Sequence, residues 1–217
     1  MVFRRSAEDL QPAVTAHMAA ADSYAAGGQF ARALTENMAA TRKVERLRRI
    51  EPGNRRHLAV LGSLYYNQAL LLDELDRGPL AVTAARRSVD RYEAIDPTRN
   101  GTLTVAAAVA DPARIDAGGA PVDTAQLIAH LADARSRLAL LLATHAHPDR
   151  HRERELRRFG LDPDLPLRHE ICVLDEKACL TYQALIPCSR YTDADYQRVL
   201  RQGGEALGRH HERFPNG

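Results

Sequence analysis

A chain of 217 residues is long enough to bury a substantial core and makes one domain or two small ones. Its 45% hydrophobic and 27% charged residues are those of a globular protein, and a net charge of +2 is too small to point to nucleic acid. Aromatics are scarce at 5% and Trp is absent, while alanine and leucine supply most of the apolar surface. That favours helices, because neither side chain loses much freedom in one. No alternation of Val, Ile and Thr is sustained. The expected class is therefore all-α: antiparallel helix pairs in an α-solenoid or helical bundle, with about eight main helices. All but two of the 30 basic side chains are arginine, the exceptions being Lys43 and Lys177, a bias that points to a GC-rich coding genome.

The opening stretch MVFRRSAEDLQPAV is charged but has no apolar h-region, so no signal peptide is expected. No run approaches the roughly 20 apolar residues of a membrane span, and the expected location is cytoplasmic, with no membrane partner. The first helix is predicted near Asp9 to Ala26, ended by Gly27-Gly28, since glycine takes the left-handed conformation a helix stop needs. The second is predicted from Phe30 to about Ile50, stopped by the Glu51-Pro52-Gly53-Asn54 turn. A third, about Arg55 to Leu75, carries Leu58, Leu61, Tyr65, Leu72 and Leu75 at helical spacing. Pro79 suits the first turn of a fourth, which runs to Asp96-Pro97.

Residues 98–122, punctuated by Asp111-Pro112, Gly118-Gly119 and Pro121, read as a linker or inserted loop around an alanine-rich piece at 103–110. A strong helix follows from Asp123 or Thr124 to about Thr144, then one from Pro148 to Gly160 and one from about Arg168 to Leu185. The last begins after Thr192, a potential cap, and Gly203-Gly204 within it marks a kink or a close approach of another backbone. This divides the chain into helix pairs over 1–97, the 98–122 segment, and helical pairs over 123–217 that complete the same solenoid.

A helix pair alone cannot bury its apolar faces, so such pairs stack, and self-similarity records it. The first pair reads His17-Met-Ala-Ala-Ala-Asp-Ser-Tyr24, then Gly28-Gln-Phe30, Ala33, Ala40 and a closing Pro52. The second repeats the scheme with Tyr65, Ala69, Leu72, a turn at 74–77, Ala81, Ser88 and Asp96-Pro97. This resembles the tetratricopeptide repeat (TPR) over about 80 residues. The second copy departs from it in having Asp76 at the turn glycine and Gly78 at the following aromatic. The later pairs share the helical period without the signature.

The resemblance implies a binding scaffold rather than an enzyme. In such repeats the first helices line a groove for a peptide or partner helix, which puts Met18, Asp22, Tyr66, Asn67, Leu70 and Asp73 near it. Asn67 lies where some repeats clamp a terminal carboxylate, but Asp22 and Asp73 would oppose an anion there. A second candidate is the basic run of Arg42, Lys43, Arg46, Arg48, Arg49, Arg55 and Arg56, relieved by Glu45 and Glu51. Arg42, Arg46 and Arg49 share one helix face, and could dock an acidic segment through bidentate pairs. No interleaved aromatics accompany them, so nucleic acid is not the expected partner.

The sharpest enzymatic pattern is His145-Ala-His147-Pro-Asp149, which resembles the HxHxD zinc motif of metallo-β-lactamase-fold hydrolases. That fold needs strands before the motif, whereas an amphipathic helix precedes it here, and His145 continues its apolar face. Cys172, Cys179 and Cys188, odd in number and without CxxC spacing, read as reduced thiols rather than a disulfide frame or zinc ribbon. No G-x-S-x-G, Walker A loop or dinucleotide fingerprint occurs. The expectation is thus a non-catalytic interaction module without cofactor, bound to a protein or peptide. The alternatives are a small-molecule or signal-peptide sensor with a closed pocket between the halves, and the zinc hydrolase.

Overall fold

Two tight turns show how this chain stops and reverses its helices. After the first helix, Gly28 takes the left-handed conformation at φ 70°, and the N–H of Gln29 reaches back to the Tyr24 carbonyl at 2.8 Å. After the third, Asp76 takes the same conformation at φ 54°, and the N–H of Arg77 reaches the Leu72 carbonyl at 2.8 Å. Both are Schellman-type stops that satisfy orphaned carbonyls. Asp76, which breaks the repeat signature by residue type, therefore keeps its backbone geometry.

The computed structural model describes residues 7–96, 124–146, 154, 157–158, 162, 164–185 and 193–213. Among them lie seven helices and no strand: α1 (Ala7–Ala26), α2 (Phe30–Ile50), α3 (Arg55–Glu74), α4 (Gly78–Glu93), α5 (Thr124–His145), α6 (Leu165–Leu185) and α7 (Asp193–Arg213). The all-α expectation holds, and the boundaries of α2 are those expected. The predicted segment at 98–122 and the Thr192 cap fall outside the described residues; of the helix predicted from Pro148 to Gly160 only residues 154 and 157–158 are described, and those are helical. Asn54 caps α3 by accepting from the Arg56 N–H at 3.1 Å, and its amide donates to Glu51 at 2.9 Å. His57 also bonds Glu51, at 2.8 Å. Hydrogen bonds from Asn54, then His57, hold the Glu51 carboxyl below its ordinary range.

Each helix packs on the next in chain order, antiparallel to it, and α3 also touches α5 as α5 touches α7. Odd-numbered helices thus share one layer, called the inner face below, and α2, α4 and α6 the other. The larger apolar cluster takes side chains from α2 through α6, including Ala33, Leu72, Tyr92, Leu131, Leu138 and Ile171. A smaller one joins α1, α2 and α3 through Leu10, Val44, Leu47, Leu61 and Leu64. Each such buried aliphatic contributes about 1.5–3 kcal/mol. Ala33, Ala40, Ala69 and Ala81 are fully buried, as close helix approach requires.

Small residues also admit large rings. A Cβ on Gly62 would lie 2.7 Å from the ring of Tyr92, whose hydroxyl bonds Ser63 Oγ at 2.8 Å. Ser88 Oγ donates to the Gly62 carbonyl at 2.8 Å, locking α3 to α4. Burial pushes the Tyr92 hydroxyl up to about 12. At Gly78 the missing Cβ is replaced by the His145 ring from α5. The second copy's lost aromatic is therefore supplied by the next helix pair. Gly203 admits Tyr182 of α6 at 3.1 Å within an unbroken α7, so this glycine serves close approach rather than interruption, while a Cβ on Gly204 would meet nothing within 4 Å.

Candidate functional site

The sequence-predicted residues fall on three surfaces. Met18 and Asp22 of α1 line an open groove of about 390 Å³ between α1 and α3, with a largely aliphatic floor of Val14, Val44, Leu47 and Val60. Gln11, Thr15, Arg56 and His57 form its polar edge. Because α1 and α3 both run antiparallel to α2, Arg56 lies near the start of its wall and Asp22 near the end of the opposite one. No candidate groove residue of the second pair reaches this groove.

Those residues lie further along the inner face. Tyr66 helps to line a second, smaller pocket of about 100 Å³, open to solvent, with Asp133, Ser136, Arg137 and Leu140 of α5. Tyr182 of α6 and Gln202, Glu205 and Arg209 of α7 complete it. Asp133 is buried; it accepts from the Tyr182 hydroxyl at 2.5 Å and from Arg198 Nη1 at 3.1 Å. Burial, followed by the charge of Asp133, pushes the hydroxyls of Tyr66 and Tyr182 up. His130, stacked on Tyr92 at 6.0 Å, is held below its ordinary value chiefly by burial, against the pull of Asp133. Asn67 and Leu70 are half-buried beside this face.

Asp73 serves the chain itself. Its carboxylate takes Arg137 Nη2 at 2.5 Å and His145 Nε2 at 2.7 Å, tying α3 to α5. Arg135 bonds Glu93 at 3.0 Å, and Arg86 forms a two-fold ion pair with Glu170. Of the HxHxD candidates, His145 is thus engaged with Asp73 at the end of a helix, and His147 and Asp149 lie outside the described residues. Among the described residues no group of three His, Cys, Asp or Glu side chains is placed to hold a metal ion. Cys172 and Cys179 are free thiols on α6, pushed up by burial; Cys188 lies outside the described residues.

The third surface is the outer side of α2. Arg42, Arg46 and Arg49 are exposed along one stripe, flanked by exposed Met38 and Ile50, and make no ion pair among the described residues. Arg48 and Arg91 instead pair with Glu45, at 3.3 and 3.4 Å. Reading from the sequence missed Asp133, Tyr182, Arg198 and Arg209. The available signal was Asp133, Ser136 and Arg137 set among the leucines of a strongly apolar helix. Among the described residues no helix is long and apolar enough to cross a membrane. No known protein family, curated protein or solved structure matches the chain.

Proposed function

We propose that this chain is a non-catalytic interaction module of the TPR-like kind, acting in the cytoplasm, whose inner face takes an amphipathic helix of a partner protein. The observation that carries the reading is the α1–α3 groove: an aliphatic floor with a polar edge, large enough for the apolar side chains of successive helical turns. Further support comes from the packing of α4 on α5, which makes 1–97 and 123–217 parts of one continuous stack in this reading. Asp22, Tyr66 and Asn67 then border the partner's path, and Arg42, Arg46 and Arg49 form a separate surface for acidic segments.

Photo-crosslinking from position 18, in lysate of an actinobacterial host of the kind the arginine bias suggests, identifies the candidate partner. Titration of that purified partner is expected to show at least about tenfold weaker binding to Met18→Arg. Reversal of Arg42, Arg46 and Arg49 to Glu is expected to leave the affinity unchanged. Equal affinity for wild type and Met18→Arg sinks the groove reading, and loss with the charge reversal alone moves the partner to α2.

A further inference from the structure

The smaller pocket of the inner face carries a ligand chemistry of its own, independent of the α1–α3 groove. Its 100 Å³ is the room of about three waters, enough for a charged headgroup and little more. Most of the charge around it is already matched: Asp133 by Arg198, and Arg137 by Asp73. Two charges are not. Glu205 and Arg209 line the pocket from α7, about one helical turn apart, and neither makes an ion pair among the described residues.

Arg209 gives one nitrogen to Ser136 Oγ at 2.5 Å, but its Nε is buried without a hydrogen-bond partner, and so is Arg137 Nε. The Tyr66 hydroxyl also makes no hydrogen bond among the described residues. A carboxylate suits the unpaired guanidinium of Arg209, since its planar oxygens match a guanidinium edge. A plain anion, however, would face Glu205, and a plain cation would face Arg209.

We propose that this pocket binds the headgroup of a small zwitterion with the chemistry of an α-amino acid. Its carboxylate lies against Arg209 and the Tyr66 hydroxyl, and its ammonium faces Glu205. Because the pocket opens to solvent, the rest of the ligand stays in water, and binding needs no closed chamber of the kind a sensor between the halves would have.

Calorimetric titration of the full chain tests this with glycine, alanine and serine as zwitterions, propionate as the anion and ethylamine as the cation. The zwitterions are expected to bind saturably, and each single-charge probe at least about tenfold more weakly. Glu205→Gln is expected to weaken alanine about tenfold or more, as is Arg209→Gln. Glu205 is exposed and makes no hydrogen bond or ion pair among the described residues, so that variant stays informative even where Arg209→Gln unfolds. Absence of saturable binding by all three amino acids up to about 10 mM overturns the proposal. So does equal binding of propionate, or alanine binding unchanged in Glu205→Gln.

Discussion

The two ends of the helical row bury their polar groups in opposite ways. Between α1 and α3 the buried polar side chains include Asn37 and Thr41, an amide and a hydroxyl; Thr41 Oγ1 bonds the Asn37 carbonyl at 2.9 Å and receives Gln68 at 2.8 Å. Around them the packing is aliphatic. Between α5 and α7 the buried groups include the carboxylates Asp133 and Asp175, bonded to Arg198 at 3.1 Å and Arg213 at 2.9 Å. Ion pairs in low dielectric add little net stability, because desolvation offsets their attraction, yet breaking one is expensive. The first end is therefore held mainly by area, with His17–Glu36 and His57–Glu51 contacts at its edges, and the second by register between buried charges. Helices docked through such pairs have one alignment that satisfies them, which suits a pocket whose lining comes from four helices.

The largest test of that contrast is a pair of truncations. Arg198→Ala leaves Asp133 buried without its cation, and should cost about 3 kcal/mol, the low end for such a loss because Arg198 is 32% exposed. Leu61→Ala, at a fully buried site in the α1–α3 cluster, should cost a similar 2–5 kcal/mol, roughly. Urea melts separate them: in an Asp133→Asn background the Arg198 penalty should shrink to less than half, while the Leu61 penalty should not change. Equal penalties for Arg198→Ala in both backgrounds would show that Asp133 is not held by charge.

A smaller effect sharpens the comparison at the two left-handed turns. Gly28→Ala should cost about 1–2 kcal/mol from conformation alone, since its Cβ would meet nothing within 4 Å. Asp76→Gly, at φ 54°, should gain about 0.5 kcal/mol, read as a raised melting temperature. The smallest effect is one of pH. His130 sits below its ordinary 6.5, so as pH falls below that value the unfolded chain binds more protons than the folded one, and stability declines. His130→Gln should therefore show a smaller drop in urea midpoint between pH 7.5 and 5.5 than wild type. An unchanged drop would assign the acid sensitivity to other groups.

Much of the α1–α4 architecture was legible because its signals are local. Gly28, the Pro52 turn and the 3.6-residue period fix helix ends and faces without reference to anything distant. The site was less legible because its parts come from far apart. Asp73 reads as an exposed groove acid until α5 brings Arg137 and His145 to it, across 64 and 72 residues. Arg209 and Glu205 are scattered helix residues until α7 is set against α5 and Tyr66. Gly78 looks like a defect in the repeat until His145 fills it. Helical spacing assigns a side chain to a face, but only tertiary packing decides what that face meets.

The neighbour-to-neighbour order of the row has a dynamic consequence. Since α1 touches chiefly α2, and α7 chiefly α6, either terminal helix can peel away while the middle stays folded. Amide exchange should therefore be graded, slowest in α3, α4 and α5, and fastest at α1 and α7. Arg209 and Glu205 ride on one of those fraying ends, so the pocket they line assembles last and opens first, and whatever occupies it also fastens the tail of the row.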